Sequence, residues 1–120
     1  MVLLNLRSRH WVVDEQGRII IGEGRKEILD NIEKTGSINQ TAKIMKMSYK
    51  GVWSKIRTTE KYLNKRIVSA DRKTGTFLTK EGKDLLEKYR LLKEKCTKDD
   101  NRTFNRIFSG EERVIEGEPE

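Results

Sequence analysis

The chain has 120 residues, 34% hydrophobic and 38% charged, with 26 Lys+Arg against 19 Asp+Glu for a formal charge of +7. That length holds one small domain and a tail; with no run of ~18 apolar residues to span a bilayer and no apolar block of the secretory kind at the N-terminus, a soluble cytoplasmic protein is expected. One cysteine, Cys96, excludes an internal disulfide and a multi-thiolate zinc site, a single histidine, His10, leaves no His cluster for zinc, and thiol–histidine catalysis is not expected.

The charge is unevenly placed. Residues 1–98 carry 23 basic and 12 acidic side chains, net +11, whereas residues 99–120 carry three and seven, net −4. Within 37–80, eleven basic residues (Lys43, Lys46, Lys50, Lys55, Arg57, Lys61, Lys65, Arg66, Arg72, Lys73, Lys80) stand against Glu60 and Asp71, net +9. Such a stretch suits a polyanion, because neutralised phosphates release condensed counterions. The plainer alternative is that these lysines simply keep the surface soluble.

In chain order, residues 3–21 read as a β-hairpin. LLNLRSRHWVV has alternating and β-branched positions, Asp14 to Gly17 supply turn residues, and Arg18 opens the apolar run Ile19, Ile20, Ile21. Gly22 and Gly24 break the strand pattern; their spacing lacks the context of a dinucleotide fingerprint. From Arg25 the spacing of Ile28, Leu29 and Ile32 predicts a first helix that stops at Gly36. Ser37 and Gln40 have capping-box spacing, with the Gln40 side chain reaching back to the Ser37 amide. They start a second helix that runs through Met45, with Ile38, Ala42 and Met45 inward and Thr41, Lys43 and Lys46 outward.

About three residues later Ser48 is another good N-cap, starting a third helix that reaches Leu63. At about 100° per residue, Val52, Trp53, Ile56 and Leu63 form its core face with Tyr49 at the edge. Lys50, Ser54, Arg57 and Lys61 form a positive stripe on the other side, widened by Lys55 and Thr58. RIVSADRKTGTFLT then predicts two short strands with Arg72 and Lys73 at the tip between them. Thr79 caps a last helix whose apolar stripe is Leu85, Leu86, Tyr89, Leu92 and Cys96; Gly82 weakens its first turn. Residues 99–120 read as an acidic tail, interrupted by Phe104, Ile107 and Phe108. The tail is taken as a solvated end, with docking onto the basic face of its own domain as the alternative.

The fold expected is mainly α with small β-hairpins, an α+β winged helix-turn-helix over residues 1–98 with an N-terminal hairpin and a C-terminal helix. In that fold the second helix of the motif enters the major groove and the wing reaches the backbone or minor groove. A plain three-helix bundle with a solvated basic stripe is the competing fold.

GEGRKEILDNIEKTGSINQTAKIMKMSYKGVW and FLTKEGKDLLEKYRLL resemble the N-terminal DNA-binding domain of the ModE family of molybdate-responsive regulators. The resemblance runs from about Leu3 to Leu92 and is most specific at SYKGVW, residues 48 to 53, with TGSINQTA upstream; more remotely the region resembles the LysR-type helix-turn-helix. It implies that Ser48, Tyr49 and Lys50 make base and phosphate contacts, that Trp53 packs, and that the protein is a homodimer. Periodicity independently places Trp53 inside and Lys50 outside. It leaves Tyr49 open, as a phosphate-contacting hydroxyl or a half-buried packing ring. The chain departs from the family in its short wing, DRKTGTF, and in having 28 residues after Leu92, too few for the family's molybdate-binding modules.

The candidate DNA-contacting residues are thus Ser37, Asn39 and Gln40, then Ser48, Tyr49, Lys50, Ser54, Lys55, Arg57, Thr58 and Lys61, and Arg72 and Lys73 on the wing. The partner expected is a palindromic double-stranded operator bound by a homodimer, joined through the first hairpin, the first helix or the last helix. No catalytic set, metal site, cofactor or membrane partner is expected, and a small-molecule effector is left open. His10 reads as structural or surface, and Cys96 as core or interface. Two other functions remain: a protein-interaction adaptor for an acidic partner, and a chromatin-type binder without sequence preference.

Overall fold

The computed structural model describes residues 2–108. Its elements are β1 (Val12–Val13), β2 (Ile19–Ile21), α1 (Glu23–Thr35), α2 (Ile38–Met45), α3 (Tyr49–Leu63), β3 (Val68–Asp71), β4 (Gly75–Leu78) and α4 (Lys80–Phe108). Two helices joined by a short turn, then an antiparallel hairpin and a covering helix, make an α+β winged helix-turn-helix. The first hairpin is shorter than expected. Pairing is confined to Val12↔Ile21 and Val13↔Ile19, because β2 is only three residues long and leaves nothing for residues 2–11 to pair with. Val2 and Leu3 are about four-fifths exposed. The turn itself is built by Asp14, whose carboxylate accepts hydrogen bonds from the Gln16 and Arg18 amides, each 2.9 Å.

Helix ends follow local chemistry. Gly36 takes the left-handed conformation, φ 68°, and its amide donates to Ile32 O, closing α1. The Ser37 and Ser48 hydroxyls accept from the amides of Gln40 and Gly51, at 3.0 and 2.9 Å. The capping box at Ser37 is only half formed. The Ser37 amide donates to Thr35 Oγ1 at 3.2 Å, so Gln40 is released to solvent. Thr41, expected outside, is fully buried; its hydroxyl donates to Ser37 O at 2.8 Å and so loses no hydrogen bond on leaving water. Lys46 in the left-handed region, φ 55°, turns the chain from α2 into α3.

The core lies between α1, α2, α3 and the wing base, around Ile21, Leu29, Ile32, Ile38, Val52, Ile56, Ile67, Val68 and Leu86. The wing is fixed at both ends. At the tip, the Thr76 amide donates to Gly36 O at 3.0 Å, and a side chain at Gly75 would come within 2.9 Å of that same oxygen, so glycine is needed there twice over, its φ being 90°. At the base, Gly82 lets α4 pass close beneath Ile67, where a Cβ would stand 2.1 Å from the Ile67 carbonyl oxygen. Gly82 is thus a packing requirement of α4 and not merely a weak point in its first turn, which Thr79 caps as expected.

α4 corrects two expectations. Its stripe does not stay inside: Leu86 and Tyr89 are buried, but Leu92 is 40% exposed and Cys96 half-buried, because the core ends near Tyr89 while the helix continues. Nor does the helix stop at Lys98. Residues 99–108, expected as the start of the tail, are helical. No Gly or Pro occurs between Gly82 and Gly110, the Asp99–Arg102 pair closes at 3.0 Å, and Phe104 and Phe108 stack at 4.7 Å. The remainder of the expected tail, 109–120, lies outside the described residues. Among those described, no helix is long and apolar enough to cross a membrane.

Candidate nucleic-acid interface

The third helix presents its two expected sides. Val52 and Ile56 are buried, while Ser48, Tyr49, Lys50, Ser54, Lys55, Arg57 and Lys61 are exposed on the same helix. Tyr49, open between two roles in the sequence, is half exposed at 50% and lies at the N-terminal end, the end that reads bases in this fold. Thr58 is half-buried and its hydroxyl donates to Ser54 O at 2.8 Å, so that donor is already engaged. Asn39 and Gln40 are exposed on the first turn of α2; Ser37 beside them is half-buried and acts as the cap. Arg72 and Lys73 are exposed in the turn between β3 and β4, where the Lys73 amide donates to Asp71 Oδ1 at 2.7 Å.

Trp53 is half-buried, its inner side packed on the core. The Arg57 guanidinium lies over its ring, 4.3 Å from the centroid. The indole is therefore both a core residue and the floor under a surface arginine.

Charge pairing is sparser on this face than elsewhere among the described residues, where six of fourteen basic side chains meet a carboxylate. Of the eleven basic residues in 37–80, Arg57 and Arg66 are ion-paired among the described residues, both to Glu60. The other nine, with Lys50, Lys55, Lys61, Arg72 and Lys73 among them, have no carboxylate partner there. A field of unpaired cations, held on a rigid scaffold, is what a phosphate backbone neutralises best.

Glu60 is the residue that periodicity missed. It is 7% exposed. Its Oε2 accepts the Ile67 and Val68 amides at 2.8 and 3.1 Å, and its Oε1 accepts from Arg57 Nη1 at 2.6 Å. Burial pushes its pKa upward, but the Ile67 amide, the Arg57 hydrogen bond and the Val68 amide outweigh that and hold the carboxyl below its ordinary range. A charged residue on the inner side of an amphipathic helix, eight residues before the start of a strand, was the available signal. A solvated Glu–Arg pair gives the same spacing, so sequence alone does not separate them.

His10 is held at the surface of α4, its Nε2 3.2 Å from Asp100 Oδ2, while its carbonyl accepts the Tyr89 hydroxyl at 2.7 Å. Among the described residues no cluster of three His, Cys, Asp or Glu could hold a metal ion.

A buried three-helix core, a short turn into an amphipathic helix with a cationic outer side, and a hairpin tipped by Arg72 and Lys73 define a winged helix-turn-helix domain. The chain is similar to ModE proteins. It is 34% identical over 76 residues to the molybdenum transport protein ModE of Azotobacter vinelandii, covering 60% of this chain and 28% of that protein. It is 35% identical over 81 residues to the transcriptional regulator ModE of Yersinia pestis, covering 64% and 31%, and 36% identical over 81 residues to that of Haemophilus influenzae, covering 64% and 32%. The matched region thus spans about three tenths of each relative. No family model matches the chain.

Proposed function

We propose that this chain is a sequence-specific, double-stranded-DNA-binding transcriptional regulator, acting by binding and not by catalysis. The observation that carries the reading is the unpaired cationic surface of α3 and the wing, on a fold that offers this helix to a major groove. Ser48, Tyr49, Lys50 and Ser54 meet base edges and phosphates at the N-terminal half of α3. Lys55, Arg57, Thr58 and Lys61 extend the contact along it. Ser37, Asn39 and Gln40 touch the flanking backbone from α2, and Arg72 and Lys73 do so from the wing. The site of action is the chromosome in the cytoplasm.

The acting unit is a homodimer on a palindromic operator, with half-sites ~34 Å apart, one turn of the duplex. Support comes from apolar side chains left exposed along α4 (Leu91, Leu92, Ile107, Phe108) and in the N-terminal segment (Val2, Leu3, Leu4). Light scattering at micromolar concentration should give twice the chain mass; the mass of one chain contradicts the dimer.

The test of the function itself is selection from random duplexes. A regulator enriches one motif with dyad symmetry, an adaptor for an acidic protein enriches none, and a general DNA binder retains all sequences with a steep salt dependence. Since a relative is named for molybdenum transport, mapping bound sites across the genome tests whether molybdenum genes lie beside them.

A further inference from the structure

The four groups around Glu60 concentrate on one carboxylate what two separate parts of the DNA-binding surface require. Its two oxygens are divided. Oε1 takes Arg57 Nη1 at 2.6 Å, and Oε2 takes the Ile67 and Val68 amides, with Arg66 Nε at 3.7 Å. Arg57 is in turn laid on Trp53 at 4.3 Å, with its side chain half exposed. A free surface arginine samples many rotamers and must be ordered when it binds. Here the plane is set by the indole below and one edge by the carboxylate, and the remaining N–H groups make no hydrogen bond to a described residue. A planar guanidinium with one edge held and another free is suited to the two acceptors on the major-groove edge of guanine. Ordering it before binding lowers the entropy lost on contact.

We propose that Glu60 is a positioning residue for DNA recognition: through Oε1 it presets Arg57 on Trp53 as a reader of a guanine edge, and through Oε2 it seats the wing base, so that helix and wing meet the duplex as one unit. The inference rests on the DNA-binding reading above. Glu60 itself touches no DNA, being buried. A glutamate serving only the fold would need the two amides and no arginine.

Glu60→Gln separates the two duties. Glutamine keeps an oxygen for the Ile67 and Val68 amides and exchanges the anionic acceptor facing Arg57 for a neutral amide. Affinities for the duplex won in random selection, and for a scrambled one, are compared in wild type, Glu60→Gln, Arg57→Ala and the double variant, all well below their melting temperatures. Each single change should lower the selected-to-scrambled ratio by about ten- to a hundredfold, as loss of a bidentate base contact does. The double variant should fall no further than Arg57→Ala alone. Effects that multiply, or a Glu60→Gln loss equal on both duplexes, overturn the proposal. Should Glu60→Gln not fold, Arg57→Lys carries the test, since it keeps the charge on a half-exposed side chain and removes the planar fork. It should lose preference at one base pair, and an unchanged motif overturns the proposal. If the wild-type chain enriches no duplex, the DNA-binding reading falls and this inference with it; enrichment with independent effects removes this inference alone.

Discussion

The surface made by α3 and the wing and the surface made by α1 and α4 are both rich in lysine and arginine, yet they use them differently. On α1 and α4 twelve basic side chains stand among ten acidic ones. Lys26 and Arg90 converge on Asp30, Arg90 also meets Glu33, and Lys93 pairs with Glu23. The Arg90 and Lys93 pairs tie α4 to α1. On α3 and the wing there are almost no carboxylates, and the one buried there, Glu60, is consumed by Arg57, Arg66 and two amides. The contrast is one of degree: of the twelve basic side chains on α1 and α4, five meet a carboxylate among the described residues, and a count of lysines alone does not reveal it.

The sharpest way to separate the shared scaffold from either surface is Leu86→Ala. Leu86 is 1% exposed beneath both, and its truncation should cost about 2–5 kcal/mol of stability by chemical denaturation. The protein still folded should bind DNA with an unchanged salt slope; a changed slope would mean that the two surfaces are not independent. Next in size, Lys50→Glu on the unpaired face should weaken operator binding by about 1–3 kcal/mol, with preference relaxed at one base pair if the side chain reads a base. If it meets phosphate alone, binding to all sequences falls and the salt slope drops by about one unit. Its melting temperature should not move, because no carboxylate partners it.

Arg90→Ala on the paired face should do the opposite. Its side chain is 39% exposed, so screening limits the loss to about 1 kcal/mol of stability, and DNA affinity should hold. A fall in operator affinity at constant oligomeric state would break the contrast between the two surfaces. The smallest effect is acid sensitivity. Burial pushes the Asp30 carboxyl upward, but its hydrogen bonds to Lys26 and Arg90 outweigh that and hold it below its ordinary range. Glu60 is lowered likewise. A carboxylate whose pKa is lower in the folded state adds stability that is full above the ordinary carboxylate range and is lost as pH falls through the lowered value. The melting temperature should therefore fall on acidification below that range, and Asp30→Asn should flatten the fall.

Much of the α3 face was legible because its signals are local. Ser48 caps what it was expected to cap, Val52 and Ile56 turn inward, Lys50 turns outward, and Arg72 and Lys73 sit between two paired strands, all within windows of a few residues. What periodicity missed depended on partners distant in sequence or on the end of the core. Thr41 is buried because its hydroxyl finds the carbonyl of Ser37, although a threonine that follows Asn39 and Gln40 reads as outward. Gln40 is free because Thr35 reached the Ser37 amide first. Leu92 carries the apolar spacing of a core residue, but the core that would cover it stops near Tyr89. Low hydrophobicity marked residues 99–108 as tail, while the absence of any breaker and the pairing of Asp99 with Arg102 keep them helical.

The most direct test follows backbone amide NMR signals of the labelled protein as the selected duplex is added. The account predicts the largest shifts in the first turn of α2, along α3 from Ser48 to Lys61, and at the wing tip around Arg72 and Lys73, with α1 and the far half of α4 little changed. Shifts concentrated on α4, with α3 silent, would contradict it.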